Sequence, residues 1–218
     1  MIVGTHHVKL LVCRPKMATL VTDPDIEQRI QAEREATGAD RFDEVWEGLY
    51  MMTPMPNIEH QQLVYELTKV LEDAIGETPL GIMPGVNISD REEGWKQNYR
   101  VPDITICLDD TTAKHCGTHL CGGADFLVEV VSPDDRSRRK FDFYYKLGVR
   151  ELLLVDRDPW AIELYRNTGE ALPSVGRSEL DADETIKSEV LPLSFRIVDG
   201  DMRPRIEVRH DDGRTWLA

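Results

Sequence analysis

Two periodicities alternate along this chain and divide it into elements. Over 58–75 the apolar residues Leu63, Val64, Leu67, Val70, Leu71 and Ile75 recur three or four positions apart, the spacing that lines one side of a helix. Asn57 stands at the N-cap position and Gly76 at the close. Over 126–131 the pattern becomes an almost unbroken apolar run, interrupted only by Glu129, as in a strand covered on both faces. Leu152, Leu153, Leu154 and Val155 repeat that signature behind Glu151. Between the two runs, 136–147 reads as a helix ended by Gly148, with a start as early as Pro133. Strand, helix and strand with short links imply a right-handed crossover and parallel pairing.

The remaining segments give weaker patterns. Asp23, Pro24 and Asp25 predict a helix start, an Asp cap with Pro first in the helix, running to Ala36 or Thr37 and stopping at Gly38. That helix is polar, so it is expected on the surface. Over 42–53 the alternation of Val45, Leu49 and Met51 predicts a strand or hairpin bent at Gly48 and ended by Pro54 and Pro56. The stretch 80–89 is strand-like but broken by Pro84 and Gly85, and 90–98 is a polar turn. A strand is expected over 101–108 with Asp103 near its start, a loop over 109–123, and a further strand over 160–165. The polar, Gly-punctuated 167–189 reads as a long hairpin, and 190–198 and 206–208 as one edge strand each. The expected architecture is α/β, a mixed β-sheet flanked by helices. It comprises an N-terminal extension and helix over 1–40, a core over 41–166, and a β-rich extension of the same domain over 167–218.

Composition narrows the function. The chain has 218 residues and 41% hydrophobic residues, enough for one sizeable core. Its formal net charge of −14 repels anionic lipid and nucleic acid at long range, so a polyanion must meet a local basic patch. Four cysteines without the density of a secreted scaffold make a reducing cytoplasm the expected location. No apolar run approaches the roughly 20 residues a membrane helix needs. Leu10, Leu11, Val12 and Cys13 are too short a run for a signal sequence, and Met17 offers an alternative start.

Three residues stand out chemically. Glu129 puts a carboxylate inside an apolar strand, where it needs a cation, hydrogen bonds or a proton. Its bland alternative is a sheet-edge Glu facing a base or water. Asp103 follows Pro102 at a strand entry, where Pro and Asp are also ordinary turn residues. Lys140 sits eleven positions after Glu129 on a predicted helix, and its long stem reaches the strand end unless it is a plain surface lysine. Two acids and a lysine are the minimum kit for a divalent-metal phosphodiesterase. Arg136, Arg138, Arg139 and Lys140 form the densest basic run, either a phosphate contact or a solvated helix face, and Arg100 beside Asp103 is a second candidate contact. His115, Cys116, His119 and Cys121 hint at zinc, but the spacing fits no familiar finger and one short loop rarely supplies four ligands. Tyr144, four positions after Lys140, shares its helix face and is read as a packing residue.

The order and spacing of these segments resemble the PD-(D/E)XK nuclease superfamily and, more closely, its bacterial Uma branch of restriction-type endonucleases. The matching text is Glu47-Gly48, Met55-Pro56 and His60, then Arg100-Val101-Pro102-Asp103, then Glu129-Val130-Val131-Ser132-Pro133. Lys140, Tyr144, Gly148-Val149 and Leu153-Leu154-Val155-Asp156 follow, so the resemblance spans 42–165. The superfamily's lysine two places after the acid is Val131 here. In the Uma branch it has moved to the next helix, where this chain has Lys140. Leu49 replaces an acid that many relatives carry. The resemblance implies a restriction-endonuclease-like fold and Mg²⁺, with Mn²⁺ as substitute, held by Asp103, Glu129 and the Val130 carbonyl. It implies Glu47 as a further ligand, direct or through water, and Lys140 orienting the attacking water or stabilising charge. His60 would stand behind the metal ligands, or be a histidine of the helix-start turn; Arg100 and Arg138 would contact phosphate. The implied substrate is nucleic acid, DNA in particular, and the implied assembly a homodimer. A non-catalytic dimeric binding or regulatory protein on the same fold is the alternative, favoured by the net charge. A small-phosphoester hydrolase is a third reading.

Overall fold

Pro24 opens the first helix, α1 (Pro24–Thr37), in this computed structural model, which describes residues 24–131 and 136–218. The Asp23 cap, the short apolar run at 10–13 and the Met17 start lie outside the described residues. A bidentate ion pair ties α1 to the segment after it: Arg34 donates from Nε to Asp43 Oδ2 at 2.5 Å and from Nη2 to Oδ1 at 2.7 Å. Asp43 also accepts from the Thr53 N–H at 2.7 Å and from the Tyr50 hydroxyl.

The segment 42–53 folds as the hairpin β1 (Glu44–Trp46) and β2 (Leu49–Met51). Glu47 and Gly48 both take positive φ at its turn, as a tight two-residue hairpin requires. Asn57 then caps α2 (Ile58–Ile75) by accepting the His60 N–H at 2.9 Å. Leu63, Leu67 and Leu71 on α2 are wholly buried, each contributing roughly 1.5–3 kcal/mol.

Short strands follow: β3 (Ile82–Pro84), β4 (Ile88–Ser89), β5 (Tyr99–Arg100) and β6 (Ile104–Ile106). The strand expected over 101–108 is shortened to β6, and β5 just before it belongs to the other sheet. Pro102 has no N–H to give a ladder, and the chain leaves one sheet there and enters the other. The expected loop at 109–123 contains a further hairpin, β7 (Lys114–His115) and β8 (Leu120–Cys121), with β8 running parallel to β4.

The crossover comprises β9 (Phe126–Val130), a 3-10 turn (Ser137–Lys140), α3 (Phe141–Leu147) and β10 (Glu151–Arg157). β9 and β10 pair in parallel, Glu129 opposite Leu154. The α-helix is shorter than the pattern over 136–147 predicts. Arg136 offers no side-chain cap, and the chain enters through a 3-10 turn, a common helix entry. β11 (Trp160–Arg166), β12 (Ser174–Glu179), β13 (Ile186–Lys187), β14 (Leu193–Val198), β15 (Arg205–His210) and β16 (Thr215–Leu217) complete the chain.

The main sheet has the order β12-β11-β10-β9-β6-β3; a smaller one runs β2-β1-β5-β4-β8-β7. The C-terminal strands form a sheet of their own, β13-β14-β15-β16, where two separate edge strands were expected. Its inward residues Leu193, Phe195, Ile197, Ile206 and Val208 share a core with α2 and one face of the main sheet. Alternation along β9 sends Phe126, Val128 and Val130 into that core. It sends Leu127 to the opposite face, with Tyr144 and Phe143 of α3 and Ile88 and Leu120 of the small sheet. Glu129 shares the face of Leu127. No described helix is long and apolar enough to cross a membrane.

Gly123 sets how closely α3 approaches β9. Its N–H donates to Leu147 O at 2.8 Å, and a Cβ there would lie 2.3 Å from both the Gly148 carbonyl carbon and the Val149 nitrogen. Neither neighbour is a flexible tip. Gly123→Ala is expected to cost at least the roughly 1–3 kcal/mol of an overpacked core. A lowered urea midpoint checks this; an unchanged one contradicts it.

Candidate active site

Glu129 leaves β9 toward α3 and is almost fully buried, at 3% exposure. Its Oε1 accepts from Lys140 Nζ at 3.0 Å and from the Tyr144 hydroxyl at 2.5 Å, and its Oε2 from Lys140 at 3.2 Å. Lys140 and Tyr144 lie one helical turn apart, so both reach the same carboxylate. Tyr144 is therefore more than a packing residue.

Lys140 is buried as well, and its Nζ lies 2.9 Å from Glu44 Oε1 on β1. Glu44 is held in turn by the Val101 N–H on Oε1 at 2.8 Å and by Trp46 Nε1 on Oε2 at 2.6 Å. The pattern over 42–53 did not single out Glu44; the structure turns it toward the lysine, with Trp46 beside it on the same face of β1. An acid in a three-residue strand has no pattern long enough to reveal its face.

Asp103 stands at the bend between the two sheets. Its Oδ2 accepts the Val130 N–H at 2.7 Å, and its Oδ1 lies 2.8 Å from His60 Nε2. The His60 N–H is capped by Asn57, and its ring, on the first turn of α2, holds Asp103. The ladder that pairs Ile104 with Val128 would next bring Pro102 opposite Val130. Pro102 cannot donate, so the Val130 carbonyl would get no ladder bond from it, while the Val130 N–H is taken by the Asp103 carboxylate. The Val130 carbonyl leaves the strand on the same edge as that N–H.

The charges do not balance. Glu44 and Glu129 both contact one ammonium, and Asp103 stands near enough to Glu129 to act on its carboxyl. Burial pushes the Glu129 carboxyl up to about 8, with Asp103 and Glu44 adding to the rise and Lys140 opposing it. Burial alone would lower Lys140, but Glu129 and Glu44 more than reverse this and hold it above its ordinary value. The Tyr144 hydroxyl is raised by burial and by the same two carboxylates. The site has room in its charge balance for more positive charge.

Other sequence candidates lie elsewhere. Glu47 is exposed at the hairpin turn, its N–H donating to Asn98 Oδ1 at 2.9 Å, and Glu44 takes the place beside Lys140. Arg100 is not at the mouth of the site. It is buried between Trp46 and Phe143, 4.7 and 4.1 Å from the ring centres, and donates from Nη1 to Val45 O and Asn98 Oδ1. Two aromatic faces shelter its charge better than any surface position near Asp103. Arg138 is turned to the end of β10, where Nη2 donates to Asp156 Oδ2 at 2.7 Å. Arg157, passed over in the sequence, donates to Val131 O, Asn57 Oδ1 and Glu59 Oε2 beside the site.

Among the described residues no three His, Cys, Asp or Glu side chains form a metal cage. This includes the 115–121 hairpin, where the His119 ring stacks on Trp95 and its Nε2 lies 3.1 Å from Arg91 O. At the carboxylate cluster an ammonium fills the centre. The donors there, Asp103, Glu129 and the Val130 carbonyl, are all oxygen. A cavity of about 470 Å³ lies away from this cluster, lined by Glu27 and Glu35 of α1 and by Val45, Tyr50 and Tyr99. Val45 and Glu44 point to opposite faces of β1, so the small sheet separates cavity and cluster.

The family model Uma2, described as "Putative restriction endonuclease", matches residues 30–199, a span containing every member of the cluster. No curated protein matches the chain. The crystal structure of a protein titled a "putative nuclease belonging to DUF820", from Anabaena variabilis, has a similar fold. The TM-score is 0.51 at 18% identity, covering 67% of this chain and 80% of that one.

The raised Glu129 carboxyl makes stability depend on pH. Between about 4.5 and about 8 the folded chain keeps a proton at Glu129 that the unfolded chain has released. This contribution is complete below that window and lost as pH rises through it. In excess EDTA, Glu129→Gln is therefore expected to gain stability over wild type with rising pH. Thermal unfolding across pH checks it, and a difference that stays flat contradicts it.

Proposed function

The chain belongs to the Uma2 family of restriction-endonuclease-like proteins, and from that membership we propose that it is a metal-dependent endonuclease hydrolysing nucleic-acid phosphodiester bonds, those of DNA in particular. The observation that carries this reading is the buried pair Glu44 and Glu129 on the Lys140 ammonium, with the half-buried Asp103 next to Glu129 on the Val130 N–H. It combines an excess of hard oxygen donors with one fixed cation.

The donor set fits a hard divalent ion. Mg²⁺ takes one or two carboxylates and keeps several waters, so Asp103, Glu129 and the Val130 carbonyl suffice, with Mn²⁺ as substitute. When bound, such an ion supplies Lewis acidity that polarises a phosphoryl oxygen and makes a bound water acidic. The remaining work falls to side chains. Lys140 orients the attacking water or offsets the negative charge that develops on phosphorus oxygens. Glu44, braced by Trp46 and Val101, positions Lys140. His60 fixes the rotamer of Asp103, and Tyr144 that of Glu129. Water attacks directly, without a covalent enzyme intermediate. Cutting both strands of a duplex takes two such sites, which a homodimer supplies.

A second reading, a non-catalytic binding or regulatory protein on this fold, has two observations in its favour. Arg100 and Arg138, the expected phosphate contacts, are engaged within the protein, and the net charge is −14. Cleavage assays on plasmid and single-stranded DNA with Mg²⁺ or Mn²⁺ separate the two. Asp103→Asn, Glu129→Gln and Lys140→Met are each expected to lose about a hundredfold or more in rate, the scale of losing one transition-state contact. Circular dichroism checks that each variant stays folded. Wild-type cleavage persisting in excess EDTA would end the metal mechanism, and binding without cleavage would favour the second reading.

A further inference from the structure

We propose that the Lys140 ammonium is the resident cation of the carboxylate cluster, and that it must give up Glu129 and retreat to Glu44 before a divalent ion is held. The inference rests on the metal-dependent reading above and adds a mode of regulation to that site.

The geometry is that of an occupied seat. Nζ of Lys140 contacts both oxygens of Glu129, at 3.0 and 3.2 Å, and Glu44 Oε1 at 2.9 Å. Ammonium and divalent ion would draw on the same lone pairs of Glu129. In a buried pocket their mutual repulsion is weakly screened, so both cannot be held close to that carboxylate.

The two anchors of the lysine differ in kind. Glu129 directly precedes Val130, whose N–H donates to Asp103. Glu44 comes from the other sheet and is fixed by two donors that do not depend on Lys140, Trp46 Nε1 and the Val101 N–H. The stem of Lys140 has four flexible carbons, whereas Glu129 is fixed on a central strand with Tyr144 donating to Oε1. A short swing lets the ammonium keep Glu44 while Glu129 turns to another cation. Tyr144 keeps its own hydrogen bond in both arrangements. The backbone need not move.

This makes metal affinity depend on how firmly the lysine holds Glu129. If the closed arrangement holds roughly nine-tenths of the molecules, apparent affinity falls about tenfold below that of the open site. Mn²⁺ titration by calorimetry on the full chain tests it with wild type, Lys140→Met, Lys140→Arg, Glu44→Gln and the Glu44→Gln/Lys140→Met double variant. Thermal unfolding first checks that each is folded.

Lys140→Met is expected to bind Mn²⁺ about tenfold more tightly than wild type, since it removes the competitor. Lys140→Arg, whose planar fork grips a carboxylate through two hydrogen bonds, is expected to bind it less tightly, and it serves as the test if the methionine variant does not fold. Glu44→Gln is expected to weaken binding in the presence of Lys140 and to change it little in the Lys140→Met background. That loss of effect separates a seat for the lysine from a direct ligand or a general field, whose effects would be equal in both backgrounds. Equal Mn²⁺ affinity in wild type and both Lys140 variants, or an undiminished Glu44→Gln effect in the double variant, overturns the proposal and leaves the metal-dependent reading intact. No Mn²⁺ binding by any folded variant overturns both.

Discussion

A buried ammonium shared by two buried carboxylates constrains everything else here. An isolated charge in a protein interior is too costly to keep, so Lys140, Glu129 and Glu44 are each tolerable only while the others are in place. The three come from a central strand, a crossover turn and a hairpin of another sheet. A change that separates those elements exposes an uncompensated charge. The cluster thereby fixes the register between the two sheets while leaving the pocket with more negative charge than positive.

The chain's passage between sheets at Pro102 and Asp103 brings these elements together. One imino acid ends the β5 ladder, and the next residue turns its carboxylate back onto the Val130 N–H. The small sheet then supplies Glu44 from one side and α2 supplies His60 from the other. Arg100, stacked between Trp46 and Phe143, bridges β1 and α3 under the site. Gly123 lets the end of α3 lie against the strand that leads to Glu129. Each device is local, but together they set the distances in the carboxylate cluster.

The acidity of the chain remains the main tension with a polyanionic substrate. Its arginines are largely engaged in ion pairs, Arg138 with Asp156 and Arg157 with Glu59 among them. Family membership says which chemistry the fold serves elsewhere, and the cluster supplies residue types that suit that chemistry. Neither supplies an extended basic groove.

The sequence by itself determined the elements with long or sharp signals. The helix Ile58–Ile75 and its Asn57 cap, the hairpin turn at Gly48, and the parallel pair of β9 and β10 all derive from periodicity and punctuation, which depend only on near neighbours. Glu129 was conspicuous because an acid inside an apolar run has few physical explanations. Asp103 and Lys140 were legible only as companions to it, by order and spacing. Tertiary structure decided the rest. Strands of two or three residues carry no periodicity, so the change of sheet at Pro102 and the inward turn of Glu44 could not be read from pattern; β14 and β15 are six residues each, but which sheet a strand joins depends on distant partners. The destinations of Arg100 and Arg138 were also undecided. A long guanidinium stem goes wherever aromatic faces or carboxylates from distant segments meet it, and those segments are adjacent only after the chain has folded.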